Sequence, residues 1–351
     1  MILYNDEQQA VINNVLKDIK LKQIVSIAGY AGTGKTTIIK EILSKLPNFR
    51  VCAFTGKATN ILRRKGIHSA ETIHSTIYDV KKDEDKIKYS IKPFSKILLD
   101  GFIIDEASMI SEEIYKDLCY YEKPIIFVGD HGQLPPIGKT NFNIMAKPDY
   151  KLETIHRNAG PIAQFANYLR ESNNARNYTE KSDEVIIRTK SQLTIEDLLL
   201  VDQVICAFNK TRVVLNTKMR EALKLPPEPV VGDKIIVLRN NRNFGVFNGQ
   251  QGIVSKINNK TVDVQFDNFL AKKLPYTKDL FNAEKTNQDT LNDYKKDIVL
   301  VDYAYAITCH KAQGDQFDKI AVLEEPCTIW EMNRWNYTAA SRAETQIFWY
   351  K

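Results

Sequence analysis

Eight residues near the N-terminus, Gly29-Tyr30-Ala31-Gly32-Thr33-Gly34-Lys35-Thr36, restrict the fold more than any other stretch. They fit the phosphate-binding pattern of Gly, four residues, then Gly-Lys-Ser/Thr. Upstream, Ile24–Ala28 is a short apolar run of strand length. Downstream, Ile38, Ile39, Ile42, Leu43 and Leu46 recur at helical spacing, so Thr37–Leu46 reads as a helix. Glycine frees the loop backbone to turn N–H groups onto a phosphate chain, and the helix N-terminus adds partial positive charge there. Lys35 would reach the β- and γ-phosphates, and the Thr36 hydroxyl would ligate Mg²⁺. A chance match to the fixed positions is expected in only about 1–2% of chains this long. Gly29, Gly32, Thr33, Gly34, Lys35, Thr36 and Thr37 are therefore the expected nucleotide-binding set.

The chain has 351 residues, enough for two or three compact units, and its 43% apolar content suits ordinary globular cores. A net charge of +6 permits a polyanionic partner without requiring one. Cys52, Cys119, Cys206, Cys309 and Cys327 are scattered, with no metal-ligand spacing, which excludes a zinc site or a disulfide scaffold. They suit small core positions in a reducing cytoplasm. The start, Met1–Glu7, does not read as a signal peptide. The longest apolar run, Ile97–Ile104, is interrupted by Asp100 and is too short to span a bilayer. A cytoplasmic chain with no membrane partner is the expectation.

Other apolar runs also end in chemistry-bearing residues. Asn5–Lys20 has the pattern of an amphipathic helix opened by an Asn/Asp cap. Gln8 within it can donate to and accept from an adenine edge, although a surface glutamine is the plainer reading of that residue alone. A second strand, Arg50–Phe54, leads to Thr55-Gly56-Lys57-Ala58-Thr59, a turn suited to contacts with a nucleic-acid backbone. Glu71-Thr72-Ile73-His74-Ser75 reads, on residues alone, as a capped helix start with a buried His74. Ile77–Ile91 alternates around a charged centre and reads equally as a projecting β-hairpin or a solvated loop. Ile97–Ile104 reads as a strand ending in Asp105-Glu106. Asp105 would hold Mg²⁺ through water and Glu106 would polarise an attacking water. Pro124–Val128 is a further strand, and Gly129-Asp130-His131-Gly132-Gln133-Leu134-Pro135-Pro136 follows it. There Gln133 would read a γ-phosphate, the alternative being a plain Gly/Pro turn.

The second half returns to alternating elements. Pro161–Glu171 is helical, and the Asn-rich Ser172–Ser182 reads as a linker. Val204–Phe208 and Lys210–Leu223 read as strand and helix. Lys234–Leu238, Gly252–Ile257 and Thr261–Phe266 read as strands of a β-rich insert, with a turn at Phe247-Asn248-Gly249. Lys272–Asp297 is polar and carries no assigned element. Ile298–Ile307 reads as one strand leading to Thr308-Cys309-His310-Lys311-Ala312-Gln313-Gly314. Lys319–Leu323, a helix at Trp330–Ser341 and the strand Gln346–Tyr350 close the chain.

In this order the motifs resemble superfamily 1 helicases, most closely the RecD/Dda-like branch, superfamily 1B. The phosphate loop and Asp105-Glu106 alone would imply only an NTPase. The series Gly129-Asp130…Gln133-Leu134-Pro135-Pro136, His310-Lys311-Ala312-Gln313-Gly314 and Tyr337-Thr338-Ala339…Arg342-Ala343 is far more specific, and Thr72-Ile73-His74 and Phe247-Asn248-Gly249…Gly252 also match. The resemblance implies an α/β fold of two RecA-like P-loop NTPase domains, spanning 1–157 and 158–351, with ATP and Mg²⁺ in the cleft between them. It implies a β-hairpin pin inserted at 76–95 and a small SH3-like β-barrel inserted at 231–302. It assigns Gln8 to adenine, Gln133 and Gln313-Gly314 to the γ-phosphate, and Arg157 and Arg342 to arginine fingers. Thr55, Lys57 and His74 would hold DNA on the first domain, and Thr308 and His310 on the second. Ser341 stands where relatives often have Thr, and Gln316 where many have Glu.

The resemblance implies an ATP-dependent DNA helicase moving 5′→3′ and working as a monomer on single strands and on single/double-strand junctions. Single-stranded-DNA-binding or replication proteins are candidate partners. A translocase that strips proteins without unwinding is the nearest rival, and a non-catalytic NTP-gated scaffold is the rival from another class. Intact Lys35, Glu106 and both candidate fingers argue against the scaffold. A small-molecule kinase would share the loop but leave the motifs after Gln133 unexplained.

Overall fold

A computed structural model describes residues 4–351 other than 84–85, 135–141, 156–159, 173, 181, 242, 268, 285–290, 292, 296 and 328–330, and describes no side chains for residues 57 and 80–89. The N-terminal unit is a six-stranded parallel sheet in the order Glu71–Thr72, Phe49–Ala53, Gly101–Ile104, Ile125–Gly129, Ile24–Gly29, Tyr150–Leu152. Its central strands are apolar on both faces because helices cover both. One face packs Val25, Val51 and Ile103 with Val11 and Val15 of Asp6–Asp18 and with Ile38 and Ile42 of Lys35–Lys45. The other packs Phe102, Ile104 and Phe127 with Ile73, Ile114 and Leu118.

The first helix opens as its sequence indicates, with Asn5 and Gln8 forming a reciprocal capping box. Two strand assignments need correction. Ile97–Ile104 is strand only at Gly101–Ile104, and Phe94–Lys96 forms a 3-10 turn before it. Ile97 is buried under the sheet, whereas Leu98 is 82% exposed, so the apolar run turns through the surface before it pairs. The edge strand Tyr150–Leu152 was not foreseen. Its three residues carry no alternation, and Asp149 fixes it by accepting from Ser26 N at 2.8 Å and Ser26 Oγ at 2.7 Å.

Tyr78–Asp83 and Lys86–Ile91 form an antiparallel hairpin, resolving the choice the sequence left open at Ile77–Ile91. Its base is pinned by Tyr121, whose hydroxyl donates to Ile77 O at 2.8 Å and Lys92 O at 2.9 Å.

The C-terminal unit is a five-stranded parallel sheet ordered Ala306–Thr308, Gln203–Cys206, Phe317–Leu323, Ala343–Tyr350, Val185–Arg188. Helix Pro161–Ser172 packs Phe165 and Leu169 into the same core as Trp335 of helix Met332–Ala340. The stretch read as a linker, Ser172–Ser182, is partly structured. Ala175–Asn177 is a 3-10 turn, and Tyr178 packs edge-on to Phe165. The strand Val185–Arg188 and the short helix Ile195–Leu199 after it were not foreseen.

The insert is a five-stranded antiparallel sheet ordered Leu270–Pro275, Thr261–Phe266, Gln251–Ile257, Lys234–Val237, Val301–Tyr303. The strand Leu270–Pro275 overlaps the region left unassigned, placing Ala271 and Leu274 inward. The apolar run Ile298–Ile307 is not one strand. Val301–Tyr303 pairs with the insert and Ala306–Thr308 with the C-terminal sheet. Gln203 Nε2 holds the break, donating to Ala304 O and Tyr305 O at 3.1 Å each. Two buried ion pairs tie the insert to helix Asn209–Ala222. Arg220 grips Asp233 through Nε and Nη2, both at 2.9 Å, and Arg212 meets Asp302. Among the described residues no helix is long and apolar enough to cross a membrane.

Candidate functional site

The phosphate-loop geometry follows from its glycines. Gly32 and Gly34 have φ of +83° and +84°, a region costly for any residue with a Cβ. Gly29 is required for a different reason, since a Cβ there would stand 2.6 Å from Thr33 Oγ1. Gly34 N-caps helix Lys35–Lys45 without a side-chain bond, so the first-turn amides from Lys35 onward have no intrahelical partner. Thr33 Oγ1 donates to Tyr30 O at 2.8 Å and closes the loop on itself. Lys35 Nζ donates to Gly29 O at 2.8 Å and Tyr30 O at 3.0 Å, and lies 3.8 Å from Asp130 Oδ2.

The loop opens on a cavity that also takes in Thr36, Asp105, Glu106, Gln133, Gly314 and Arg342. Asp105 follows the strand Gly101–Ile104 and is held by its N–H to Cys52 O at 2.8 Å. Burial, reinforced by neighbouring Glu106, pushes its carboxyl up to about 6, while Lys35 pulls it down. Glu106 has φ of +53°, and among the described residues its Oε2 and Gln133 Oε1 are buried without hydrogen-bond partners. Two unpaired buried acceptors facing a row of free amides suit a ligand that brings both donors and negative charge. The donors at hand for a metal, the Thr36 hydroxyl and the Asp105 carboxylate, fit Mg²⁺, which binds through few carboxylates and completes its shell with phosphate and water. Among the described residues no His/Cys/Asp/Glu cluster offers a self-sufficient metal cage.

The far wall comes from the C-terminal unit. Arg342 is 1% exposed and held by three bonds, Nε to Thr338 O at 3.1 Å, Nη1 to Asp315 O at 3.2 Å and Nη2 to Ser341 Oγ at 2.9 Å. Gly314 has φ of +76°, and its carbonyl accepts from Thr55 Oγ1 at 3.1 Å. Gln313 is buried beside the cavity and donates to Leu134 O. Gln316 also lines the cavity. Gln8 is not among the described lining residues. Its Nε2 donates to Thr33 O at 3.1 Å, so in this structure it braces the phosphate loop. Arg157 lies outside the described residues.

A second groove separates the N-terminal unit from the insert. Thr55, Arg63, His74, Phe247, Asn248 and Phe269 line it. The His74 ring lies 3.8 Å from that of Phe247 and 5.5 Å from that of Tyr78. Thr55 caps its helix by accepting from Ala58 N at 3.1 Å. The Lys57 side chain is outside the described residues. Thr308 and His310 are not among the described residues lining this groove; burial pushes the His310 imidazole down. Their neighbour Lys311 donates to Asn248 Oδ1, and burial pushes its amine down to about 8.

Sequence reasoning gave no role to Tyr337 or Asn167, yet both reach the phosphate loop from the C-terminal unit. Tyr337 stands inside a recognised motif, where the arginine drew attention. Asn167 is one polar residue in an amphipathic helix and carries no signal of its own.

Residues 3–192 match the AAA domain family, and residues 303–348 match the UvrD-like helicase C-terminal domain. The chain belongs to the AAA domain family. This AAA-domain chain is similar to the ATP-dependent RecD2 DNA helicase of Deinococcus radiodurans, at 26% identity covering 97% of this chain and 48% of that one. It thus spans about half the length of that relative. Two solved structures align over 99% of this chain and 92% of theirs. One, described as two coordinating Pif1 helicases unwinding forked dsDNA, aligns at a TM-score of 0.55 and 22% identity. The other, a Bacteroides Pif1 helicase in complex with ADP-AlF3 and ssDNA, aligns at 0.53 and 21%. At such identities they establish the fold, an α/β architecture of two RecA-like units with parallel sheets. The order of the family matches and the RecD2 relative bear out the resemblance to the RecD/Dda-like branch.

Proposed function

We propose that this protein is an ATP-dependent DNA helicase that translocates 5′→3′ on single-stranded DNA and unwinds duplex. The observation that carries the reading is the composition of the nucleotide cavity. Its loop, Asp105, Glu106 and Gln133 belong to one sheet unit, and Gly314 and Arg342 to the other. A site built across two bodies ties its occupancy to their relative placement, which a motor requires and a one-domain kinase does not.

In this reading Lys35 and the first-turn amides hold the triphosphate. Thr36 and Asp105 would hold Mg²⁺, which would supply charge neutralisation on the triphosphate. Glu106 orients and deprotonates the attacking water, and Gln133 and Gln313-Gly314 register the γ-phosphate. Arg342, with Arg157, offsets charge developing on the transferred phosphoryl group. Gln8 contacts adenine. DNA crosses both units, held by Thr55, Lys57 and His74 on one side and Thr308 and His310 on the other, mostly through phosphate and sugar. The hairpin Tyr78–Ile91 acts as the strand-separating pin, and the insert at 231–302 as an SH3-like module. The domains run 1–157 and 158–351.

The test is steady-state ATP hydrolysis with and without single-stranded DNA, wild type beside Lys35→Ala. Strong DNA stimulation that vanishes in the variant supports a DNA-coupled motor, and forked substrates labelled at either arm then assign polarity. Hydrolysis indifferent to DNA would falsify the motor reading.

A further inference from the structure

Ala31, in the middle of the phosphate loop, is gripped by the C-terminal unit through its backbone on both sides of its Cα. Its N–H donates to Tyr337 Oη at 2.6 Å, and its carbonyl accepts from Asn167 Nδ2 at 3.0 Å. Tyr337 lies on helix Met332–Ala340 and Asn167 on helix Pro161–Ser172, two helices packed on one core. Tyr337 is fully buried and Asn167 is 4% exposed. The Tyr337 hydroxyl also donates to the Asp130 carboxylate, which lies 3.8 Å from Lys35 Nζ and accepts from Gly132 N at 2.9 Å. The preceding residue is held from the same side. The Arg170 guanidinium sits 3.8 Å above the Tyr30 ring, and Tyr337 meets that ring edge-on at 6.2 Å.

Contacts between two domains need not touch a ligand site, and general adhesion would not select one residue of the loop. Here the N–H and the C=O of a single loop residue, which belong to the two peptide groups flanking its Cα, are assigned to different helices of the opposite unit. The grip also leaves the phosphate position open. The amides a phosphate would meet begin at the N-terminus of Lys35–Lys45, beyond Ala31.

We infer that Tyr337 and Asn167 are positioning residues through which the C-terminal unit sets the shape of the phosphate loop, so that nucleotide affinity depends on where that unit sits. The inference rests on the nucleotide site proposed above. Linkage makes the effect reciprocal: a nucleotide that prefers the gripped loop draws the C-terminal unit into the gripping placement. Tyr337 has a second effect, because its hydroxyl keeps the Asp130 carboxylate engaged. Without it, Asp130 turns to Lys35 and competes with phosphate for the ammonium.

The experiment measures ADP affinity by titration calorimetry and KM and kcat for ATP. It uses the full chain as wild type, Tyr337→Phe, Asn167→Ala, the double variant, and Thr338→Val as control. Thr338 Oγ1 accepts from Leu134 N at 2.9 Å, a bond between the same helix and the N-terminal unit that bypasses the loop. Each single variant is expected to weaken ADP binding and raise KM about tenfold, as loss of one buried hydrogen bond would. The double variant should exceed the singles by little, because both bonds hold the backbone of one residue. Thr338→Val should bind ADP as wild type does. Wild-type ADP affinity in both single variants overturns the inference. So do additive losses, or an equal loss in Thr338→Val, either of which would mean general loosening. If Tyr337→Phe fails to fold, Asn167→Ala alone carries the test against the same control. Wild-type protein that binds no nucleotide would instead sink the site itself, so the two failures are distinguishable.

Discussion

Glu106 holds a left-handed backbone conformation, φ +53°, that costs a residue with a side chain about 1–2 kcal/mol. Strain of this kind persists where the surroundings over-determine it, and it clusters at functional sites. Here it accompanies a buried, unpartnered carboxylate oxygen beside Asp105, the oxygen proposed above to orient the attacking water. Glu106→Gln keeps the shape and removes the base. It should bind ADP with wild-type affinity in calorimetry while hydrolysis falls about 10²–10⁴-fold. Loss of binding as well would mean that the carboxylate mainly holds the cavity together. This residue was legible because Asp-Glu follows a strand, and the same holds for Lys35 and Gln133. Arg342 was legible only through its motif. Its guanidinium is held by two backbone carbonyls and the neighbouring Ser341 hydroxyl, and no pattern of residue types encodes those bonds. Tyr337 and Asn167 were illegible for a related reason. Their meaning lies in a residue more than 130 positions away, Asn167 and Ala31 being 136 apart in sequence.

At the scale of elements, alternation and helical spacing located the buried strands and the long helices, and failed where an element depends on its neighbour. Tyr150–Leu152 is a strand because Asp149 anchors it to Ser26, and Val185–Arg188 because Ala343–Tyr350 offers an edge. The run Ile298–Ile307 is apolar but for Asp302, and local pattern cannot show that its two ends join different sheets. The hairpin is the informative case. Its strands carry charge on both sides, so periodicity left it undecided. What fixes it sits elsewhere, in Tyr121 at the end of helix Glu112–Cys119, bonded to the carbonyls of Ile77 and Lys92. Tyr121→Phe keeps the buried ring and removes the hydroxyl shared by both carbonyls; Ile77 O keeps the Lys92 amide at 2.8 Å, so the cost is about 1 kcal/mol, chiefly at Lys92 O. If the hairpin is a pin, forked-duplex unwinding should slow several-fold while ATP hydrolysis on single strands stays near wild type. Equal losses in both assays would mean that Tyr121 supports the sheet rather than the hairpin.

For the whole molecule, the two sheets, the insert and the two grooves divide the work between a nucleotide cavity at the domain interface and a second groove roofed by the insert. The buried pairs Arg220–Asp233 and Arg212–Asp302 lock the insert to the C-terminal unit, so any movement of that unit against the N-terminal one would reshape the groove. This arrangement bears on how the chain would hold the DNA proposed as its substrate. Its net charge of +6 suggests a diffuse basic surface. The proposed contacts suggest otherwise, because Thr55, His74, Thr308 and His310 carry no fixed charge, leaving Lys57 and the groove residue Arg63 as cations. Counterion release separates the two pictures. Binding through the whole net charge would give a log–log salt slope near −4 on single strands, whereas two cations give about −1.4. A titration of fluorescent oligothymidine between low and moderate salt should return the shallow slope, with Lys57→Ala reducing it by about 0.7. A wild-type slope steeper than about −3 would place most of the affinity on surface charge outside the groove, and the groove would then serve to shape the strand rather than to hold it.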